Sequence, residues 1–204
     1  MTSASSPRHD RRLLSYIRWR LPSAALRSYL SKHGQQPVAF ARWLILHTSG
    51  DLLAIEYVLA GIERGWLADD PPYRLPQSLM AFYDALLRAT RRQYLSQWPV
   101  LVEPVLATIL VVRRPISALL LAALAGVADV QAVEQILSAF YPAIISIRID
   151  RSGTTGWCLF DSSFRDHVNT RVVPPDERID LLAAERRICD HFWLRAYPHT
   201  ANGK

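Results

Sequence analysis

The stretch DVQAVEQILSAFYPAIISIRIDRSGTTGWCLF, residues 129–160, decides the architecture of this 204-residue chain. Asp129 is suited to cap a helix over about 130–140, because its carboxylate accepts from the free amides of a first turn. Beyond Tyr141-Pro142, Ile145, Ile147 and Ile149 alternate with Ser146 and Arg148. That period of two predicts a strand across Ala143–Asp150. Arg151 to Gly156 carries turn chemistry, and Trp157–Phe160 returns as a second strand. Upstream, the pattern predicts a helix over about 100–112 and a short one over about 116–124. Three helices followed by a two-stranded hairpin make a winged-helix arrangement.

Working outward, a helix is expected to begin at Ser162 or Ser163 and a final one to cover about 176–196. Toward the N-terminus, Asp10 can cap a helix whose Leu13, Leu14, Ile17 and Leu21 fall at helical intervals. Pro22 interrupts it, and a second helix runs over about 23–32 to His33-Gly34. Pro37 opens a third, closed by Ser49-Gly50, and Asp51 caps a fourth that ends at Gly65. A Pro- and Asp-rich loop over 68–76 is the best internal boundary. After it, Leu79, Phe82, Tyr83, Leu86 and Leu87 mark an amphipathic helix from about Gln77 to Trp98. The expected organisation is a disordered leader (1–8), a helical subdomain (9–67), a linker helix (76–98), a winged helix (99–172) and a C-terminal helix (174–197). The fold class is mainly α with one small antiparallel hairpin.

Composition narrows the functions. Half of the residues are hydrophobic, enough for a core and too many for a disordered chain. Two cysteines, Cys158 and Cys189, exclude a disulfide scaffold and a four-cysteine zinc site. Residues 1–36 hold seven basic side chains against Asp10, and the remaining chain holds seventeen of each sign, so the whole net charge of +6 sits in the first sixth. Contact with phosphates is therefore an expectation for that segment alone, through Arg8, Arg11, Arg12, Arg18 and Arg20. The longest uncharged apolar runs, Pro104–Val112 and Pro115–Ala128, fall short of the ~20 residues that span a bilayer. A cytoplasmic protein without a membrane partner is the expectation.

Several segments, in consecutive order, resemble one family: the part of NACHT-type STAND NTPases that follows the nucleotide-binding core. Asp10 to Leu21 (DRRLLSYIRWRL) is similar to the helix closing the NTPase domain. Ser49-Gly50-Asp51-Leu52-Leu53-Ala54 resembles the start of the next helical piece. Leu75-Pro76-Gln77-Ser78-Leu79 with Tyr83 resembles the linker helix. Arg114-Pro115-Ile116-Ser117 resembles the segment leading into the winged helix, and Phe160-Asp161-Ser162-Ser163-Phe164-Arg165-Asp166 its closing motif. Glu185 to Asp190 (ERRICD) resembles the helix that starts the following repeat region. The resemblance implies a lid-and-lever module that couples nucleotide state to distal repeats.

The chain departs from that family where the chemistry would sit. A nucleotide-binding loop ends in Gly-Lys-Ser/Thr, and the two lysines here, Lys32 and Lys204, follow no such loop. The acidic magnesium-binding strand is absent as well. No ATPase activity is expected unless another polypeptide completes the site, and ATP or ADP would enter only with such an NTPase half. The winged-helix histidine that the family places against phosphate is Asp161 here, whose carboxylate repels phosphate.

No other constellation supplies a catalytic set. Gly153 to Gly156 reads as a hairpin turn. His167 and His191 lack a zinc-like spacing, and Trp43, Trp66, Trp98, Trp157 and Trp193 read as core. The helix over 130–140, which would read DNA in a winged-helix regulator, has no basic residue and offers only Gln131 and Gln135. The reading is a non-catalytic regulatory and interaction module that docks to a protein partner or to itself. The alternative is a DNA-binding regulator that uses the basic N-terminal helix.

Overall fold

The computed structural model describes residues 7–149, 153–171, 173–174 and 178–196; of residues 7, 8 and 194–196 it describes the backbone. Among these residues the chain has ten α-helices and one two-stranded antiparallel sheet, a mainly α fold with a small hairpin. It divides into two compact units, residues 1–89 and 90–204.

In the first unit, α1 (Pro7–Arg20) opens on a proline, whose missing N–H leaves nothing unsatisfied at a helix start. Pro7 and Arg8, expected in the leader, are therefore helical, and Asp10 falls in the first turn rather than at the cap. Residues 1–6 lie outside the described residues. Ser23 caps α2 (Ala24–Lys32) by accepting from the Leu26 amide. α3 (Pro37–His47) ends before Ser49 and Gly50, both at positive φ (53° and 73°). Asp51 then caps α4 (Leu52–Glu63), accepting from Leu53 N at 2.9 Å and Ala54 N at 3.2 Å.

α4 is the centre of this unit. Every residue from Ala54 to Ile62 except Glu56 is buried. α1 packs on α3 and α2 on α4, around Ile17, Leu26, Phe40, Leu44, Ile55 and Leu59, all fully buried. The chain after α4 turns back so tightly that a Cβ on Gly61 would lie 2.6 Å from Leu67 Cδ1 and 2.7 Å from Trp66 Cζ2.

α5 (Leu79–Gln93) carries the chain across the boundary between the units. It stops short of the Trp98 expected as its end. A π-helical turn, Trp98–Val102, follows instead, in which Val102 N donates to Gln97 O five residues back (3.3 Å). Prolines explain the change of winding. Pro104 has no N–H to give the carbonyl of Val100, and the helical ladder cannot run continuously through this segment. α6 (Glu103–Val111) therefore starts three residues later than the periodicity predicts.

The second unit holds the three expected helices and the hairpin, followed by two further helices. α6, buried from Val105 to Leu110, packs against α7 (Ala118–Ala125) and α8 (Val130–Ala139). A helix apolar on all sides belongs in a core. β1 (Ile144–Arg148) pairs antiparallel with β2 (Thr155–Leu159), with Ile144 opposite Leu159 and Arg148 opposite Thr155. A third strand position joins this sheet from between α6 and α7. Ile116 and Trp157 exchange both backbone bonds, at 3.0 and 2.7 Å. α9 (Ser163–Thr170) follows the hairpin, and α10 (Leu181–Ala196) packs on α6 and α7. α10 begins five residues after the expected 176, because Asp180 caps it by accepting from Ala183 N at 2.9 Å.

Candidate functional site

The closing motif of the winged helix is structural in its geometry. Phe160 N donates to Ala143 O at 3.0 Å, which anchors the end of the hairpin while its ring stays exposed. The Asp161 carboxylate accepts from Ser163 N at 2.8 Å and so starts α9. Phe164 is fully buried, its ring 6.2 Å from that of Phe140. Arg165 reaches the Leu110 carbonyl of α6 and that of Val112, the residue just past its end, and so helps satisfy the helix end. Asp161 is half-buried and committed to a backbone amide.

The face of α8 that a DNA reader would use carries Gln131, Glu134 and Gln135, all exposed, while Val133, Ile136 and Leu137 point into the core. Asp129 is bound to the amides of Gln131 and Ala132 at 2.9 and 3.1 Å. No cation stands on this helix. On the hairpin Arg148 is exposed; Arg151 lies outside the described residues.

In the first unit, three residues of the linker motif are core, while Gln77 and Ser78 are exposed. Leu75 and Pro76 are buried, and the Leu75 carbonyl lies 2.9 Å from His47 Nε2. Tyr83 is fully buried, its ring 5.7 Å from that of Tyr57 and 6.2 Å from that of Phe82.

The basic helix splits into two groups. Arg11, Arg12 and Arg18 are exposed, together with Trp19 at 74 %. Arg8 belongs to α1, and its side chain lies outside the described residues. Arg20 turns the other way and bridges two acids of α4. Its Nη1 donates to Glu56 Oε1 and Oε2 at 2.9 and 2.7 Å, and its Nη2 to Glu63; the Tyr16 hydroxyl donates to Glu56 as well. Its charge is neutralised inside the fold and cannot also serve a phosphate. Burial, and then the neighbouring Glu63 carboxylate, push the Glu56 carboxyl up to about 7. Sequence reasoning missed this cluster. The signal was present in the seven-residue spacing of Glu56 and Glu63, which puts both acids on one face of α4.

A second feature missed from the sequence is an open cleft of about 960 Å³ in the second unit, whose lining includes Arg91, Trp98, Glu103, Arg171, Arg178 and Asp180. Arg91 lies over the Trp98 ring, 5.9 Å from its centroid. Glu103 accepts from Asp180 N at 3.3 Å, so both acids of the wall serve the start of α10. Its walls come from segments some eighty residues apart, which no local motif joins.

Elsewhere, burial raises the Cys158 thiol, and Cys189 is exposed. Among the described residues no three His, Cys, Asp or Glu side chains converge as metal ligands. No single described helix is long and apolar enough to cross a membrane. Comparison with protein-family models, with curated proteins and with solved structures finds no match to this chain.

Proposed function

We propose that this chain is a non-catalytic regulatory module of the cytoplasm that acts by docking, to a protein partner or to a second copy of itself, in the manner of the helical and winged-helix region of NACHT-type signalling ATPases. The observation that carries the reading is α10. One side of this helix packs on α6 and α7 through the fully buried Ala184, while Leu182, Phe192 and Trp193 are 67, 51 and 59 % exposed. Phe192 and Trp193 stand side by side in sequence as an exposed aromatic pair, and aromatic residues dominate the energetics of interaction surfaces. The winged helix supports the same reading, because the uncharged and acidic outer face of α8 is suited to packing and ill suited to a phosphate backbone.

The chain itself supplies no chemistry in this proposal. ATP or ADP enters only if another polypeptide provides the NTPase half, and Asp161 would then stand where the family has a phosphate-facing histidine. Contact with nucleic acid, the second reading, is favoured only by the exposed arginines of α1 and not by the winged helix.

Sedimentation velocity of the purified chain, with binding of an environment-sensitive apolar dye, tests the proposal. Concentration-dependent association or dye binding is expected, and Phe192→Ser with Trp193→Ser should abolish it while the circular dichroism spectrum is kept. A monomer that binds no dye would overturn it.

A further inference from the structure

The outer face of α1 is a separate surface with its own chemistry. At 3.6 residues per turn, Arg11, Arg12, Ser15, Arg18 and Trp19 fall within an arc of about 120°. All five are exposed, and Trp19 is among the most exposed large side chains described. The acid of this helix, Asp10, lies outside the arc. Leu13, Ile17 and Leu21 face the core, and Arg20 points to Glu56 and Glu63. Among the described side chains, the arc thus combines three cations, a hydroxyl and an indole with no opposing charge. Arg11 and Arg18 stand about 10 Å apart along the axis.

We propose that this face binds single-stranded nucleic acid, with Arg11, Arg12 and Arg18 on backbone phosphates and Trp19 stacked on one base. Guanidinium groups make strong charge-assisted bonds to phosphate oxygens. An indole flanked by them supplies the stacking platform that single-strand binders use. A duplex would meet the arginines but keep its base faces stacked away from Trp19, so a single strand uses the whole surface. A membrane surface fits less well, because an interfacial helix inserts its apolar face and the apolar face of α1 is already enclosed by the first unit. The inference is independent of the docking role given to α10, which lies in the other unit.

Anisotropy of a fluorescein-labelled twelve-nucleotide oligo-dT, titrated with the full chain, tests it. With three phosphate contacts the slope of log affinity against log salt is about −2, so affinity should fall about 20-fold between 50 and 200 mM salt. Arg12→Ala should reduce the slope by about 0.7. Trp19→Ala should weaken binding by about ten-fold at unchanged slope, and Trp19→Phe should restore part of the loss. Absence of binding at 50 mM salt would overturn the proposal. So would equal or tighter binding of the matching duplex, or affinity unaffected by Trp19→Ala. Binding to phosphatidylserine vesicles without binding to the oligonucleotide would overturn it in favour of a lipid surface.

Discussion

Replacing Arg20 by alanine should destabilise the first unit in a pH-dependent way. Arg20 is the cation that stands between Glu56 and Glu63 in this cluster, and the three side chains are 16, 20 and 24 % exposed. Breaking a fully buried ion pair costs about 3–5 kcal/mol, and an exposed one about 0–1 kcal/mol. This half-buried cluster lies between, so the expected loss is about 2 kcal/mol at pH 8, where Glu56 is ionised. Glu56 already titrates near 7 because of burial and Glu63. At pH 5.5 it holds a proton in the folded state, the repulsion is relieved, and the loss should shrink to about 1 kcal/mol. The same linkage acts on the unaltered protein. Its folded carboxyl binds the proton more tightly than the unfolded one, so this contribution to stability is present at low pH and fades as pH rises through about 7. Urea unfolding followed by circular dichroism at the two pH values reads the effect. With a slope of about 1 kcal/mol per molar, the midpoint should fall by about 2 M at pH 8. Arg18→Ala, on the exposed face, is the control and should stay within about 0.5 kcal/mol. Equal losses for the two arginines, or a loss at Arg20 that ignores pH, would refute the reasoning.

Three further outcomes follow from the packing. Gly61→Ala forces a methyl against Leu67 and Trp66 and should cost about 1–3 kcal/mol in thermal unfolding; a neutral result would mean that the turn after α4 yields easily. Ile116→Pro removes the N–H that binds Trp157 O, and hydrogen exchange should report faster opening of the Trp157 amide, whereas an unchanged rate would show the bridge to be incidental. Asp161→Ala removes the acceptor for Ser163 N and should cost about 1 kcal/mol, while Asp161→Asn should cost only a fraction of that; equal losses would place the role of Asp161 outside capping.

What the sequence alone determined is the chemistry that acts within a few residues. Asp51 and Asp129 cap the helices they precede, because a short polar side chain satisfies amides two or three positions away. Ile145 and Ile147 alternate with Ser146 and Arg148 in a strand, because the pleat has a period of two. These signals sufficed for a mainly α chain with one small hairpin. The tertiary structure decided what depends on partners distant in the chain. Arg18 and Arg20 are the same residue type two positions apart, yet one faces solvent and the other bridges acids about forty residues on. The third strand position at Ile116 exists because Trp157 meets it. The cleft beside Trp98 exists because the start of α10 returns to Glu103. Local periodicity places a side chain on a face of its own helix, and only packing decides what that face meets.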